Sequence, residues 1–113
     1  VKDEFTPSSY NDPSLTTRVT DAIAGWLGRG ILIKRQPTMG GEDFGMYGRT
    51  EHKIPIFMFG LGTVSSDLIK RFRATGKPLP MVHSSTYAPD IEPSLSTGIT
   101  ATTAAALDLL SRP

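Results

Sequence analysis

Two short stretches of the chain contain residue types that bind metals or substrates. The first is Gly40-Gly41-Glu42-Asp43, two glycines followed by two carboxylates, and the second contains His83. Glycine lets a backbone adopt positive φ and lets a ligand approach closely. Carboxylate and imidazole groups are common metal ligands in proteins. Each stretch also has a purely structural interpretation.

The Gly40–Asp43 stretch follows a short apolar run, Ile31–Ile33, and precedes a turn that ends near Gly48. Glu42 and Asp43 are expected in the first turn of a short helix, where the helix dipole favours negative charge. The structural interpretation is therefore a strand-to-helix turn with acidic capping residues. The functional interpretation is a glycine loop that borders a substrate.

His83 follows the apolar pair Met81-Val82 and precedes two serines. A histidine that binds a metal needs a partner on its other ring nitrogen, and a metal site needs three or four protein ligands. Asp90 and Glu92 are the nearest carboxylates downstream, and no second histidine is near. Spacing alone therefore favours a hydrogen-bonded structural histidine over a ligand.

The composition excludes several classes of protein. The chain has 113 residues, enough for one domain, and its net charge of +1 argues against a nucleic-acid-binding surface. It contains no cysteine, which rules out disulfides and thiolate sites within it. No apolar run approaches the roughly 20 residues of a membrane span. Nucleophile-elbow and Walker motifs are absent, and Gly60-x-Gly62 is only a fragment of a dinucleotide fingerprint.

Three helices are predicted around these stretches. The first begins at Pro13 after a possible cap at Asn11 or Asp12, ends at Gly28, and has an apolar stripe that includes Trp26 as a core residue. The second covers residues 64–75, with Ser65 or Ser66 as its cap. The third begins at Glu92 or Pro93. The residues predicted on its packing side are Leu95, Ile99, Thr102 or Thr103, Ala106 and Leu110.

Strands are predicted at Ile31–Arg35 and Ile54–Phe59, and Val1–Phe5 could be the tail of another. Continuous apolar character in Ile54–Phe59 is typical of a strand that is buried on both faces of a parallel sheet. Alternation of strands and helices predicts an α/β fold with a partial parallel or mixed sheet and covering helices. Two strands do not make a stable sheet, so we expect another protomer or a longer chain to supply neighbours.

Together these motifs resemble the carboxy-terminal portion of metal-dependent amidohydrolases of the M20 peptidase type. The resemblance rests on Pro37–Phe44, on Ile54–Gly62, on His83-Ser84-Ser85 and on the long alanine-rich final helix. It extends from about Asn11 to Leu110. The most similar branch contains hippurate hydrolases, N-acyl-amino-acid amidohydrolases and auxin-conjugate hydrolases.

The resemblance implies a domain organisation. Such enzymes build a zinc-peptidase-like catalytic domain from two chain segments, with a smaller dimerisation domain inserted between them. Residues 1–10 would then be the end of the inserted domain or the exit from it, and residues 11–113 the second catalytic segment. The partners implied are the remainder of the catalytic domain and, in the parent protein, a second copy in a homodimer.

The resemblance also implies an activity. The parent would hydrolyse the amide bond of N-acyl amino acids or small peptides with two divalent metal ions, most often zinc. His83 matches the one metal ligand that this segment supplies. Gly40, Gly41, Glu42 and Asp43 match the loop beside the substrate pocket, and no catalytic base is expected in this segment. The isolated segment is therefore expected to be inactive.

Two alternatives follow from the residues alone. One is a self-standing α/β module that binds an anion with the Gly40-Gly41 and Gly60-x-Gly62 loops. The other is a non-catalytic assembly domain whose exposed strand edges pair between chains.

Overall fold

The computed structural model describes residues 5–111, which contain three α-helices and two 3₁₀ helices. The α-helices are α1 (Pro13–Leu27), α2 (Ser66–Thr75) and α3 (Ile91–Leu110), and the 3₁₀ helices are Arg29–Ile31 and Asp43–Arg49. The chain forms two compact units. One contains the residues up to Phe59 and those from Thr100 onward, and the other is Gly60–Ile99.

Helix α1 begins and ends where the sequence predicts. The Asp12 side chain accepts a hydrogen bond from the Leu15 N–H at 2.7 Å, and Pro13 occupies the first turn, where its missing N–H costs nothing. Gly28 ends the helix with φ 82°, in the left-handed region that favours glycine. Local capping chemistry is therefore sufficient to define this helix.

A small apolar cluster forms the core of the first unit. Val19 and Ile23 of α1 are buried against Ala101 of α3, and Leu15 and Phe57 pack around them. The small alanine side chain leaves room for the branched side chains of Val19 and Ile23. Residues of α1 from Leu15 to Leu27 pack against this core, but Trp26 in the last turn is 58% exposed. The prediction that Trp26 is a core residue is therefore wrong.

Helix α3 presents the opposite face from the one predicted. Ala101 and Ala104 are buried, whereas Leu95 and Ile99 are 59% and 63% exposed and Leu110 is exposed as well. Both faces of this helix carry apolar residues, so periodicity could not distinguish them. The smaller side chains lie inside because they leave room for the branched side chains of α1.

The predicted α/β fold with a parallel sheet is wrong. Residues 5–111 contain no strand, and the first four residues of the possible strand tail at Val1–Phe5 lie outside the described part of the chain. Ile31 ends a 3₁₀ helix, and Ile33 is 83% exposed. A strand exists only as part of a ladder of backbone hydrogen bonds, and no ladder joins these segments to one another or to any other part of residues 5–111.

The apolar run Ile54–Phe59 is held by side-chain hydrogen bonds instead. The Asn11 side chain donates from Nδ2 to the Met58 carbonyl at 2.7 Å and accepts from the Met58 N–H at 2.9 Å. The Asp12 N–H donates to the Ile56 carbonyl at 2.8 Å. One asparagine amide thus pairs with Met58 as a neighbouring strand would. Of this run, only Ile56 is buried.

Helix α2 belongs to the second unit and also follows its local signals. The Ser65 hydroxyl accepts a hydrogen bond from the Leu68 N–H at 3.3 Å, and Gly76 ends the helix in a left-handed conformation. This confirms the predicted helix and its Ser65 cap. None of the helices in the described part of the chain is both long and apolar enough to cross a membrane.

Candidate functional site

The Gly40–Asp43 stretch is an exposed turn into a 3₁₀ helix. Glu42 caps this helix, because its Oε1 accepts a hydrogen bond from the Phe44 N–H at 3.1 Å, and Asp43 is the first residue inside. The predicted helical start with acidic residues is therefore confirmed. Neither Gly40 nor Gly41 adopts positive φ, so the chain does not require glycine here for conformational reasons.

The glycine that this 3₁₀ helix does require is Gly45, which the sequence did not single out. A Cβ atom on Gly45 would lie 2.8 Å from the Ser8 carbonyl oxygen and 3.3 Å from the Pro7 ring. Gly45 is accordingly buried, and the 3₁₀ helix packs directly on the backbone of residues 7 and 8. The spacing of Gly45 and Gly48 in one short helix was the available signal for such a close approach.

His83 lies at the third position of a four-residue turn in the second unit. The Ser84 N–H donates to the Met81 carbonyl at 3.1 Å, and His83 has φ 68°. The third position of a type II turn needs positive φ and is therefore usually glycine or asparagine. For histidine, the left-handed conformation costs roughly 1–2 kcal/mol.

The loop after this turn is anchored at Thr63. The Asp90 N–H donates to the Thr63 carbonyl at 2.8 Å, and the Tyr87 hydroxyl is hydrogen-bonded to the Thr63 hydroxyl. A further turn bond joins the Tyr87 N–H to the Ser84 carbonyl at 3.0 Å. These bonds hold the backbone around His83 and keep the strained residue in place.

The His83 side chain is exposed. No hydrogen bond or ion pair to its ring is present among residues 5–111, whereas the ring of His52 lies 3.3 Å from Glu51. The expected structural role, a hydrogen-bonded imidazole, is therefore not seen within the described residues. Backbone strain beneath an exposed functional group is a pattern that concentrates at functional sites.

The described residues, 5–111, do not form a metal site by themselves. No group of three or more histidine, aspartate or glutamate side chains that could hold a metal ion exists in the described part of the chain. His83 belongs to the second unit and the Gly40–Asp43 stretch to the first. Since one imidazole is one donor, a metal would need ligands beyond those that the described residues bring together.

Two open cavities of about 330 and 350 Å³ lie in the first unit, and neither is lined by Gly40–Asp43. The larger has an apolar lining that includes Val19, Phe44 and Phe57. The smaller contains the charged residues Arg49 and Lys53. Lys53, like His83, has positive φ, at 45°. Nothing in its sequence context indicates this conformation.

Comparison with known proteins adds no relative. No family model matches the chain, and neither the curated proteins nor the solved structures contain a match.

Proposed function

We propose that the chain is part of a metal-dependent hydrolase that cleaves the amide bond of N-acyl amino acids or small peptides. In this proposal His83 supplies one metal ligand, and Gly40, Gly41, Glu42 and Asp43 border the substrate. The remaining ligands and the catalytic base come from other parts of the catalytic domain. The motifs at Gly40–Asp43 and His83 motivate the reaction class through their resemblance to such enzymes.

The observation that supports the role of His83 is its conformation. His83 is exposed, has φ 68°, and its ring has no partner within residues 5–111. Its backbone is therefore strained, and no interaction of the side chain within those residues compensates for the strain. A residue whose ring is needed at that position would explain why the easier residues, glycine and asparagine, are not used. Glu42 has a capping role already, so Asp43 is the freer of the two carboxylates to act on a substrate.

The test uses the protein expressed from its complete reading frame. We expect His83→Ala to reduce hydrolysis of a panel of N-acyl amino acids at least about 100-fold and to lower the bound zinc, since losing even an outer-shell partner of a metal ligand costs 10–100-fold. His52→Ala is the matched control, because His52 is also exposed. Its substitution should leave both measurements unchanged.

His83→Asn separates a lost ligand from a disturbed turn. Asparagine tolerates the left-handed conformation and lacks the imidazole. Loss of zinc and activity in a folded His83→Asn protein would support the assignment. Full activity and normal zinc content in either His83 variant would refute it.

The predicted assembly through exposed strand edges is wrong for residues 5–111, because they contain no strand, but an exposed helix face supports assembly by another route. Ile91, Leu95 and Ile99 follow each other at four-residue intervals on α3, and all three are exposed. Such a stripe favours a helix–helix interface. Sedimentation of the chain at about 100 µM tests this, because a monomer that persists at such concentrations would count against an assembly function.

A further inference from the structure

The smaller cavity of the first unit combines a charged side with an apolar side. Its charged residues are Asp12, Arg49 and Lys53, and its apolar wall is Ile54-Pro55-Ile56. The hydroxyl residues Ser8 and Tyr10 complete the lining together with Gly45 and Gly48. The volume of about 330 Å³ falls in the range of small-molecule sites.

The charge in this cavity is predominantly positive. Asp12 is its one carboxylate, and that carboxylate already accepts the Leu15 N–H at the amino terminus of α1. Arg49 and Lys53 form no ion pair within residues 5–111. The cavity therefore has two cations and one carboxylate, and the amino terminus of α1 balances part of the charge of that carboxylate. The remaining positive charge favours binding of an anion.

Both residues that carry these cations are constrained, Arg49 at its side chain and Lys53 at its backbone. The Arg49 guanidinium lies 5.3 Å from the centroid of the Phe5 ring, an arrangement that restricts the side chain and leaves its N–H groups for a ligand. Lys53 donates its backbone N–H to the Thr50 carbonyl at 2.9 Å and is fixed there with φ 45°. A lysine in the left-handed region is unusual, and such strain persists only where the surroundings enforce it.

The apolar wall is closely packed behind these charges. A Cβ atom on Gly48 would lie 3.3 Å from Ile56 Cδ1, which is a tight contact, so the 3₁₀ helix lies close to this wall. Ile54 and Pro55 are exposed, and they present apolar surface beside the cations. The arrangement suits a ligand with a negative head and a short apolar body.

We infer that this cavity binds a small carboxylate that carries an apolar group. Arg49 holds the carboxylate through paired N–H donors, Lys53 adds a second charge, and Ile54-Pro55-Ile56 contacts the apolar group. None of the residues assigned to amide hydrolysis lines the cavity, so the inference is independent of the proposed function. The cavity is also distinct from the anion site considered at the Gly40-Gly41 and Gly60-x-Gly62 loops, because none of those glycines lines it.

Phenylacetate and phenylacetamide are suitable probes, because they share the apolar group and differ in the head group, a carboxylate in one and a neutral carboxamide in the other. Titration of the ¹⁵N-labelled chain should give saturable shifts at Arg49 and Lys53 with phenylacetate, with Kd on the order of 1 mM. Phenylacetamide and acetate should each bind at least about tenfold more weakly, since one lacks the charge and the other the apolar group. Inorganic phosphate should bind no better than acetate.

Arg49→Gln with Lys53→Gln should weaken phenylacetate binding at least about tenfold. Lys34→Gln with Arg35→Gln is the matched control, because it removes the same charge from exposed residues elsewhere in the first unit. Equal weakening by both double variants would show general charge attraction and would overturn the inference. Equal binding of phenylacetate and phenylacetamide, tighter binding of phosphate, or absence of saturation up to about 20 mM would overturn it as well.

Discussion

Replacing His83 by glycine should make the turn more stable although it removes a whole side chain. His83 has φ 68°, close to the centre of the left-handed well, and its ring is exposed. The left-handed conformation costs a non-glycine residue roughly 1–2 kcal/mol. Glycine avoids this strain but loses about 0.5–1 kcal/mol of backbone entropy on folding.

The informative comparison is His83→Gly against His83→Ala. Both variants lack the imidazole, so they differ only in the strain and the entropy of the backbone. Subtracting the two ranges gives a glycine variant that is more stable than the alanine variant by between zero and about 1.5 kcal/mol, with a midpoint of about 0.75 kcal/mol. At the Ser84 N–H, which donates to the Met81 carbonyl, the midpoint corresponds to about three- to fourfold slower hydrogen exchange.

Hydrogen exchange of the Ser84 amide is the direct assay, because it reports the local opening of this turn rather than the unfolding of the helices. Urea unfolding followed by the helical circular dichroism signal gives the global value alongside it. If the glycine variant exchanged faster than the alanine variant, positive φ at residue 83 would not be a strained state, and the support for a functional His83 would be lost.

Two further substitutions test the packing of the first unit. Gly45→Ala should destabilise it by about 1–3 kcal/mol, because the new Cβ would lie 2.8 Å from the Ser8 carbonyl oxygen and the backbone must move. Urea midpoints measure this, Gly30→Ala is the control with open space around its Cβ position, and an unchanged midpoint for Gly45→Ala would contradict the close approach. Asn11→Ala should cost about 1–2 kcal/mol, because it removes both hydrogen bonds to Met58. Faster exchange of the Met58 N–H would accompany that loss, and unchanged exchange would mean that the pairing does not hold the segment.

The helices could be predicted because their signals are local. Asp12 begins α1 and Ser65 begins α2, each by accepting a hydrogen bond from an N–H three residues ahead, and Gly76 ends α2 in a left-handed conformation. The same holds for the acidic start of the 3₁₀ helix, where Glu42 bonds two residues ahead. Capping depends on residues adjacent in the chain, so the sequence contains the whole of that information.

The strand predictions failed because strand pairing depends on segments that are distant in the chain. Ile54–Phe59 has the composition of a buried strand, yet its hydrogen bonds go to Asn11 and Asp12. Asn11 precedes its partner Met58 by 47 positions in the chain. Periodicity gave the stripe on α1 from Leu15 to Leu27 but did not show that Trp26 within it is exposed. On α3 it could not choose between two apolar faces.

In the candidate site too, residue types could be read from the sequence but backbone conformations and close contacts could not. His83 could be identified as a candidate because histidine is a common metal ligand. Its positive φ could not be predicted, because the sequence Met81-Val82-His83-Ser84 lacks the glycine or asparagine that is typical of such a turn. Lys53 is a surface lysine in sequence and a constrained one in space. Gly40 and Gly41 attracted attention as a pair, whereas the close approach belongs to Gly45.

The pairing between Asn11 and Met58 makes the first unit sensitive to chemical ageing at one atom. Hydrolysis of the side-chain amide would convert Asn11 to aspartate and replace the Nδ2 donor with a negatively charged oxygen. That oxygen would face the Met58 carbonyl, now at 2.7 Å from Nδ2, and two acceptors would repel each other. A stored sample would then release the apolar run gradually, and the loss would be visible as a mass increase of about 1 Da at a single asparagine.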